Sequence, residues 1–109
     1  MTRKKRSIYV AGPMTGLPKL NYPKFRRVAA KLRRAGWRVV SPAEIGDAMG
    51  LREPVDEVLL NHVIDAELCA LRNCDAIYLM EGWEKSAGTL REVVVAISYK
   101  LDIVLERNK

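Results

Sequence analysis

Short apolar runs alternate with amphipathic helical patterns along this chain, and that alternation limits the fold more than any other feature. The apolar runs predict strands at residues 7–11, 37–40, 76–80 and 103–105. Between them, helical patterns begin at Pro23, Val55 and Thr89, whereas residues 43–54 are mixed and unassigned. Strands that alternate with helices favour a parallel sheet with right-handed crossovers. A chain of 109 residues then predicts a single α/β domain, Rossmann-like or flavodoxin-like, with three layers and a parallel sheet of about four to five strands.

Two segments predict how the layers pack. The continuous apolar run at 76–80 is typical of a strand buried on both faces. The helix at 55–71 has an apolar surface wide enough for burial against both the sheet and a second subunit, so we expect a homodimer or a larger homo-oligomer. His62 lies on this apolar stripe and is predicted to be a core or interface residue. Cys69 and Cys74 are predicted to be small core residues.

Composition removes several classes of protein. No stretch approaches the roughly 20 apolar residues of a membrane span, so no membrane partner is expected. Residues 1–6 form a basic segment that we expect to be flexible, and the apolar run after it, 8–11, is too short for a secretory signal. Two cysteines and one histidine give neither a disulfide framework nor metal-ligand spacing. We expect a cytoplasmic protein with no metal and no cofactor.

The charge is unevenly distributed. Twelve of the 19 Lys and Arg residues lie in residues 1–43, and all 13 Asp and Glu residues lie in 44–109. The basic half indicates an anionic ligand. We do not expect nucleic-acid binding, because no recognition motif is present and charged helix faces are usually solvated.

The first candidate loop follows the first strand. Ligands of parallel α/β sheets bind beyond the carboxyl ends of the strands. Glycines there let backbone N–H groups approach an anion, although the spacing is neither a P-loop nor a dinucleotide motif. An ordinary turn is the alternative. The substrate-binding candidates in this loop are Gly12, Pro13, Met14 and Gly16.

The second candidate loop, 81–88, leads into the third helix. Ser86 and Gly88 lie at the start of that helix, where free N–H groups favour an anion. Glu92 lies one turn further along, among apolar residues, and a carboxylate facing the crevice is costly unless it is hydrogen-bonded or used. The alternative for Glu92 is solvent exposure or an ion pair. Trp83 either stacks on a base or pins the loop.

Three motifs in order resemble the nucleoside 2-deoxyribosyltransferase superfamily, in particular its short bacterial and phage branch, over about residues 7–105. They are Tyr9-Val-Ala-Gly12-Pro13-Met14, Cys74-Asp75-Ala-Ile-Tyr-Leu and Ser86-x-Gly88-x-x-x-Glu92. The resemblance implies cleavage of an N-glycosidic bond, with Glu92 attacking C1′ to form a glycosyl-enzyme ester that water or a second base resolves. It also implies that Tyr9 orients Glu92.

The catalytic acid that the resemblance implies has two candidates. The family usually carries Asp at the position that Glu67 occupies here, and the nearest Asp is Asp65. Two residues apart on a helix, they are separated by about 200° and cannot both face the site. Alignment favours Glu67, whereas residue type favours Asp65, and the choice stays open at this point. Asp75 is predicted to be structural, at the start of the third strand.

Ser86 bears on the substrate. Family members that act on unphosphorylated nucleosides typically carry Asp at this position, whereas those acting on 5′-monophosphates carry Ser. A hydroxyl donates to a phosphate, whereas a carboxylate repels it. Lys19 and Arg91 are candidate phosphate partners or solvated charges. The resemblance therefore implies an N-glycosidase that hydrolyses (deoxy)nucleoside 5′-monophosphates; the alternatives are a nucleoside 2-deoxyribosyltransferase and a non-catalytic nucleotide-binding module.

Overall fold

Four parallel strands form the central sheet of the computed structural model, which describes residues 5–107. The strands are β1 (Ser7–Ala11), β2 (Arg38–Val40), β3 (Ala76–Leu79) and β4 (Asp102–Leu105). Their order across the sheet is β2-β1-β3-β4. Every neighbouring pair is parallel, and Tyr9 in β1 is aligned with Val40 on one side and Ile77 on the other. The predicted parallel α/β architecture is confirmed, with four strands.

Four α-helices connect these strands: α1 (Tyr22–Arg34), α2 (Pro42–Met49), α3 (Glu57–Arg72) and α4 (Ala87–Ser98). Short 3₁₀ turns at Pro18–Asn21 and Trp83–Lys85 precede α1 and α4. Local capping sets the helix starts, because the Asp56 carboxylate accepts from the N–H groups of Val58 and Leu59. The predicted start at Val55 was therefore two residues early.

Helix α2 falls in the segment left unassigned by the sequence pattern. The Ser41 side chain accepts from the Ala43 N–H at its start, Pro42 occupies the first turn, and Gly50 ends it at φ 83°. Each of these is a recognised helix boundary signal. The element was missed because its eight residues are too few for a clear apolar period.

Alternate residues of the central strands face opposite sides of the sheet, which produces three layers. Ile8 and Val10 pack with the buried face of α1, while Tyr9 and Ala11 pack with α4 and the end of α3. All four residues of β3 are buried, so the predicted two-sided burial is confirmed. Tyr9 is fully buried at the centre of this arrangement.

Two predictions about single residues on α3 are corrected by its orientation. Cys69 is exposed rather than in the core, whereas Cys74 is buried as predicted. His62 is also exposed in the chain, so it is not a core residue. His62 and Cys69 lie on the outer face of α3, because the apolar stripe of this helix is wider than the surface that the sheet covers.

The amino ends of the strands are held by side-chain contacts. The Asp75 carboxylate accepts from the Ser7 N–H at 2.8 Å, which agrees with its predicted structural role. The expected flexible segment 1–6 lies largely outside the described residues. Its last residue, Arg6, forms an ion pair with Asp102 and lies 5.5 Å from the centre of the Trp37 ring. Within residues 5–107, no helix combines the length and apolar character that crossing a bilayer requires.

Candidate active site

A cavity of about 480 Å³ lies at the carboxyl ends of the strands, where the fold predicts a ligand. Its rim combines the loop after β1, the start of α4 and one face of α3. The cavity brings together most of the predicted site residues: Gly12, Pro13, Met14, Gly16, Glu67, Ser86, Gly88 and Glu92. Residues separated by up to 80 positions in sequence therefore share one site.

A hydrogen bond from Tyr9, in the central strand β1, holds the Glu92 carboxylate in place. The Tyr9 hydroxyl, fully buried, donates to Glu92 Oε2 at 2.5 Å. Burial raises the pKa of Glu92 to about 7, and the Tyr9 hydrogen bond and the charge of Arg91 oppose that rise. No ion pair of Glu92 is found among the described residues, so the alternative of pairing with Lys85 or Arg91 does not apply. Glu92 therefore lines the cavity with one carboxylate oxygen held by Tyr9.

Glu67 places a second carboxyl group at the same cavity. It is 7% exposed, and burial, followed by the charge of Glu92, raises its pKa to about 8. At neutral pH this group is therefore mostly protonated. Asp65 is exposed on the other side of α3 and does not line the cavity. The geometry selects Glu67 over Asp65 as the group near Glu92.

Ser86 has a structural role and one unused hydrogen. As the N-cap of α4, its Oγ accepts from the Thr89 N–H at 3.2 Å and from Thr89 Oγ1 at 3.0 Å. No acceptor for the Ser86 hydroxyl hydrogen is found in the described part of the chain. Ser86 and the first residues of α4 line the cavity, and the N–H groups at a helix start favour an anion.

Helix α3 supplies an apolar wall that sequence reasoning did not assign to the site. Leu60, Ile64 and Leu68 of α3 form this wall, and Leu51 and Val55, which precede the helix, extend it. Concave sites lined mainly by apolar side chains with a few polar groups are typical of small-ligand sites. The signal was present in the sequence: three of these residues widened the α3 stripe, and that width was attributed to a subunit interface. Thr89, which is buried beside Ser86, was also missed.

Two of the predicted ligand contacts, Trp83 and Lys19, do not line the main cavity. Trp83 packs against the core cluster around Tyr9 and does not line the cavity, so of its two predicted roles the structure favours pinning the loop. Arg91 lines the cavity, whereas Lys19 lines a separate one. Gly12 is required for packing, because a Cβ there would lie 2.7 Å from the end of the Met80 side chain.

No group of three or more His, Cys, Asp or Glu side chains suited to a metal ion is found within residues 5–107.

A comparison with known protein families matches residues 6–105 to a domain of unknown function (DUF4406). The match includes every residue named above as lining the main cavity. No curated protein matches the chain.

Proposed function

Because the chain belongs to the family described as a domain of unknown function (DUF4406), whose description names no activity, we propose a function from the geometry of its site. We propose an N-glycosidase that hydrolyses the base–sugar bond of a (deoxy)nucleoside 5′-monophosphate. The observation that carries the proposal is the Tyr9–Glu92 hydrogen bond beside a second buried carboxyl group, Glu67, at one cavity. Placement in the nucleoside 2-deoxyribosyltransferase superfamily is part of the proposal and rests on the motifs.

The two carboxyl groups divide the chemistry. Glu92 attacks C1′ of the sugar as a carboxylate, while the Glu67 carboxyl gives its proton to the departing base nitrogen as the C1′–N bond breaks. The ionised Glu67 then takes a proton from water, which attacks C1′ and releases Glu92. This is the scheme of retaining glycosidases. Burial raises the pKa of both groups, but the Tyr9 hydrogen bond opposes that rise at Glu92, whereas the charge of Glu92 adds to it at Glu67. These opposite effects favour Glu92 as the carboxylate and Glu67 as the proton donor.

Tyr9 supports the nucleophile without reacting itself. Its hydroxyl hydrogen bond stabilises the ionised form of Glu92 and opposes the effect of burial on the pKa. The bond also fixes one oxygen of the carboxylate, which leaves the other free to attack. Holding a nucleophile in a reactive orientation is a large part of enzymatic rate enhancement.

The substrate class follows from the two ends of the cavity. The apolar wall of α3 suits the flat face of a base, and the start of α4 suits a phosphate. Ser86 contributes its hydroxyl group, and Arg91 contributes a positive charge at the lining of the cavity. Position 86, at the start of α4, carries a hydroxyl and not a carboxylate, so a 5′-phosphate meets no repulsion from this side chain.

The experiment is a free-base release assay by chromatography with the four deoxynucleoside 5′-monophosphates and the matching nucleosides. We expect release from monophosphates in wild type and loss of at least about 1,000-fold in Glu92→Gln. Glu84 is an exposed glutamate on the loop that leads into α4. Its variant Glu84→Gln is the matched control and should retain activity. Release only when a second free base is supplied would identify a transferase. Binding of monophosphates without release would overturn the proposal in favour of a non-catalytic nucleotide-binding module.

The expected homo-oligomer remains a proposal, and α4 offers a surface for it. Leu90, Val94 and Ile97 form a stripe along one side of α4 and are 43%, 63% and 59% exposed. An apolar stripe on one helix packs well against its own copy across a twofold axis. Light scattering should give a dimer mass for wild type and a monomer mass for Val94→Glu. A monomeric wild type would contradict the proposal.

A further inference from the structure

A second cavity, of about 300 Å³, lies beside the first and shares a wall with it. Leu20, Leu51 and Glu53 line both cavities. We infer that the second cavity is a binding site for a phosphate group, separate from the phosphate end of the main cavity. This inference goes beyond the proposed glycosidase and does not depend on it, because it concerns binding by other side chains.

The side chains that line the second cavity carry a net positive charge. Three cationic side chains line the second cavity, namely Lys19, Arg26 and Arg52, against the carboxylates of Asp47 and Glu53. Asp47 is already paired with Arg26 at 2.5 Å. Neither Lys19 nor Arg52 makes a side-chain hydrogen bond or ion pair within residues 5–107. Once Arg26 and Asp47 are counted as a pair, two cations stand against one carboxylate, Glu53. The remaining net positive charge in a concave site suits a phosphate, which is recognised by charge-assisted hydrogen bonds.

The Tyr22 hydroxyl beside this cavity is buried without a hydrogen-bond partner among the described residues. Tyr22 is 6% exposed, and its hydroxyl has no hydrogen-bond partner in the described part of the chain. Buried hydroxyls in folded proteins are nearly always paired, so an unpaired one needs an explanation. Tyr22 lines the second cavity, and the Arg26 guanidinium lies 5.5 Å from its ring centre. The hydroxyl is therefore an unsatisfied polar group in the wall of this site, enclosed by protein atoms beside Gly46.

The backbone beside the second cavity has an unusual conformation. Lys19, Leu20 and Asn21 have consecutive φ values of 54°, 55° and 59°, a left-handed conformation that side chains other than glycine disfavour. Such conformations persist where surrounding contacts hold them, and they concentrate at binding sites. Here Asn21 Nδ2 donates to the Pro13 carbonyl at 2.9 Å. Lys19, at the start of this turn, lines the second cavity. Asn21, at the end of the turn, is bonded to the loop that lines the main cavity.

The test is a titration with inorganic phosphate, followed by amide resonances in ¹⁵N-correlated NMR spectra. We expect two groups of shifts: one near Gly88 and one near Lys19, Tyr22 and Arg52. The double variant Lys19→Gln/Arg52→Gln should weaken binding in the second group by roughly tenfold and leave the group near Gly88 unchanged. Tyr22→Phe should also weaken the second group alone.

Two controls separate specific binding from general charge effects. Arg27→Gln removes an exposed cation of α1 that lines neither cavity, and it should leave both groups of shifts unchanged. Chloride at the same ionic strength should produce neither group. The inference is overturned if phosphate shifts only the resonances near Gly88, if chloride acts as phosphate does, or if Lys19→Gln/Arg52→Gln leaves the second group intact. None of these outcomes depends on whether the protein cleaves nucleotides.

Discussion

The Tyr9 hydroxyl and the Glu92 carboxylate join the buried centre of the sheet to the second turn of α4, 83 residues apart in sequence. Tyr9 belongs to β1, which is paired on both sides, with β2 and with β3. The position of the proposed nucleophile is therefore fixed from the most constrained strand of the fold and not from a loop. A site supported in this way holds its geometry without help from the ligand.

Replacing Tyr9 with Phe tests this support. The ring should stay in the core, while Glu92 loses the hydrogen bond that lowers its pKa. We expect kcat to fall by about 10–100-fold, the range of one hydrogen bond to a charged group. The acidic limb of the pH–rate profile should also move to higher pH, since the carboxylate forms less readily. A lower kcat with an unchanged acidic limb would indicate a purely structural role for Tyr9.

Glu67 and Asp65 provide a matched pair of carboxyl groups on one helix. Glu67→Gln removes the proposed proton donor and should lower kcat by about 10²–10⁴-fold and abolish the alkaline limb of the pH–rate profile. Asp65→Asn alters an exposed residue that does not line the cavity, and kcat should stay within about twofold. The loss in Glu67→Gln should shrink for a substrate whose leaving group needs no proton. Equal losses in both variants would contradict the assignment.

The raised pKa of Glu67 predicts how stability depends on pH. The folded group titrates near 8, against an ordinary value of 4.5 that we take for the unfolded chain. Between these values the folded state keeps a proton that the unfolded state has lost, so the free energy of unfolding falls as pH rises. The slope is at most about 1.4 kcal/mol per pH unit for one group.

Urea unfolding at several pH values between 5 and 8 measures this slope. Glu67→Gln should reduce it, because glutamine carries no titrating proton, and Glu92→Gln should reduce its part below about pH 7. The exposed Glu57→Gln is the control and should leave the slope unchanged. Identical slopes in wild type and Glu67→Gln would show that the carboxyl group is not held protonated by the fold.

Gly46 and Tyr22 form a tight contact that a double-mutant cycle can test. A Cβ at position 46 would lie 1.9 Å from the Tyr22 hydroxyl oxygen, so Gly46→Ala should destabilise the fold by about 1–3 kcal/mol. Tyr22→Phe alone should be nearly neutral without phosphate, because the hydroxyl has no partner in the described residues. In the Tyr22→Phe background, Gly46→Ala should cost less. Additive costs would mean that the two groups are not in contact.

Local patterns predicted the elements well where a period was long enough to be recognised. The limits of β1 and the start of α1 follow from an apolar run ended by Gly12 and from Pro23 in the first turn. Helix α2 was not predicted because its eight residues are too few to show a clear apolar period. The capping signals at Ser41 and Gly50 were present but were not used. Trp83 was left with two roles, since sequence does not show which side of a loop faces the core.

The sequence by itself determined the alternation of strands and helices that predicts a parallel α/β fold, the two loops at the carboxyl ends of the strands and Glu92 as a candidate, because these follow from local apolar periods and short motifs. Only the tertiary structure decided between Glu67 and Asp65, since the helix must be docked before one of its faces becomes the cavity wall. It also decided that the pKa values of both carboxyl groups are raised, which depends on burial by distant segments. Charge and burial at a site are collective properties of the packed chain, whereas helix and strand periods are local ones.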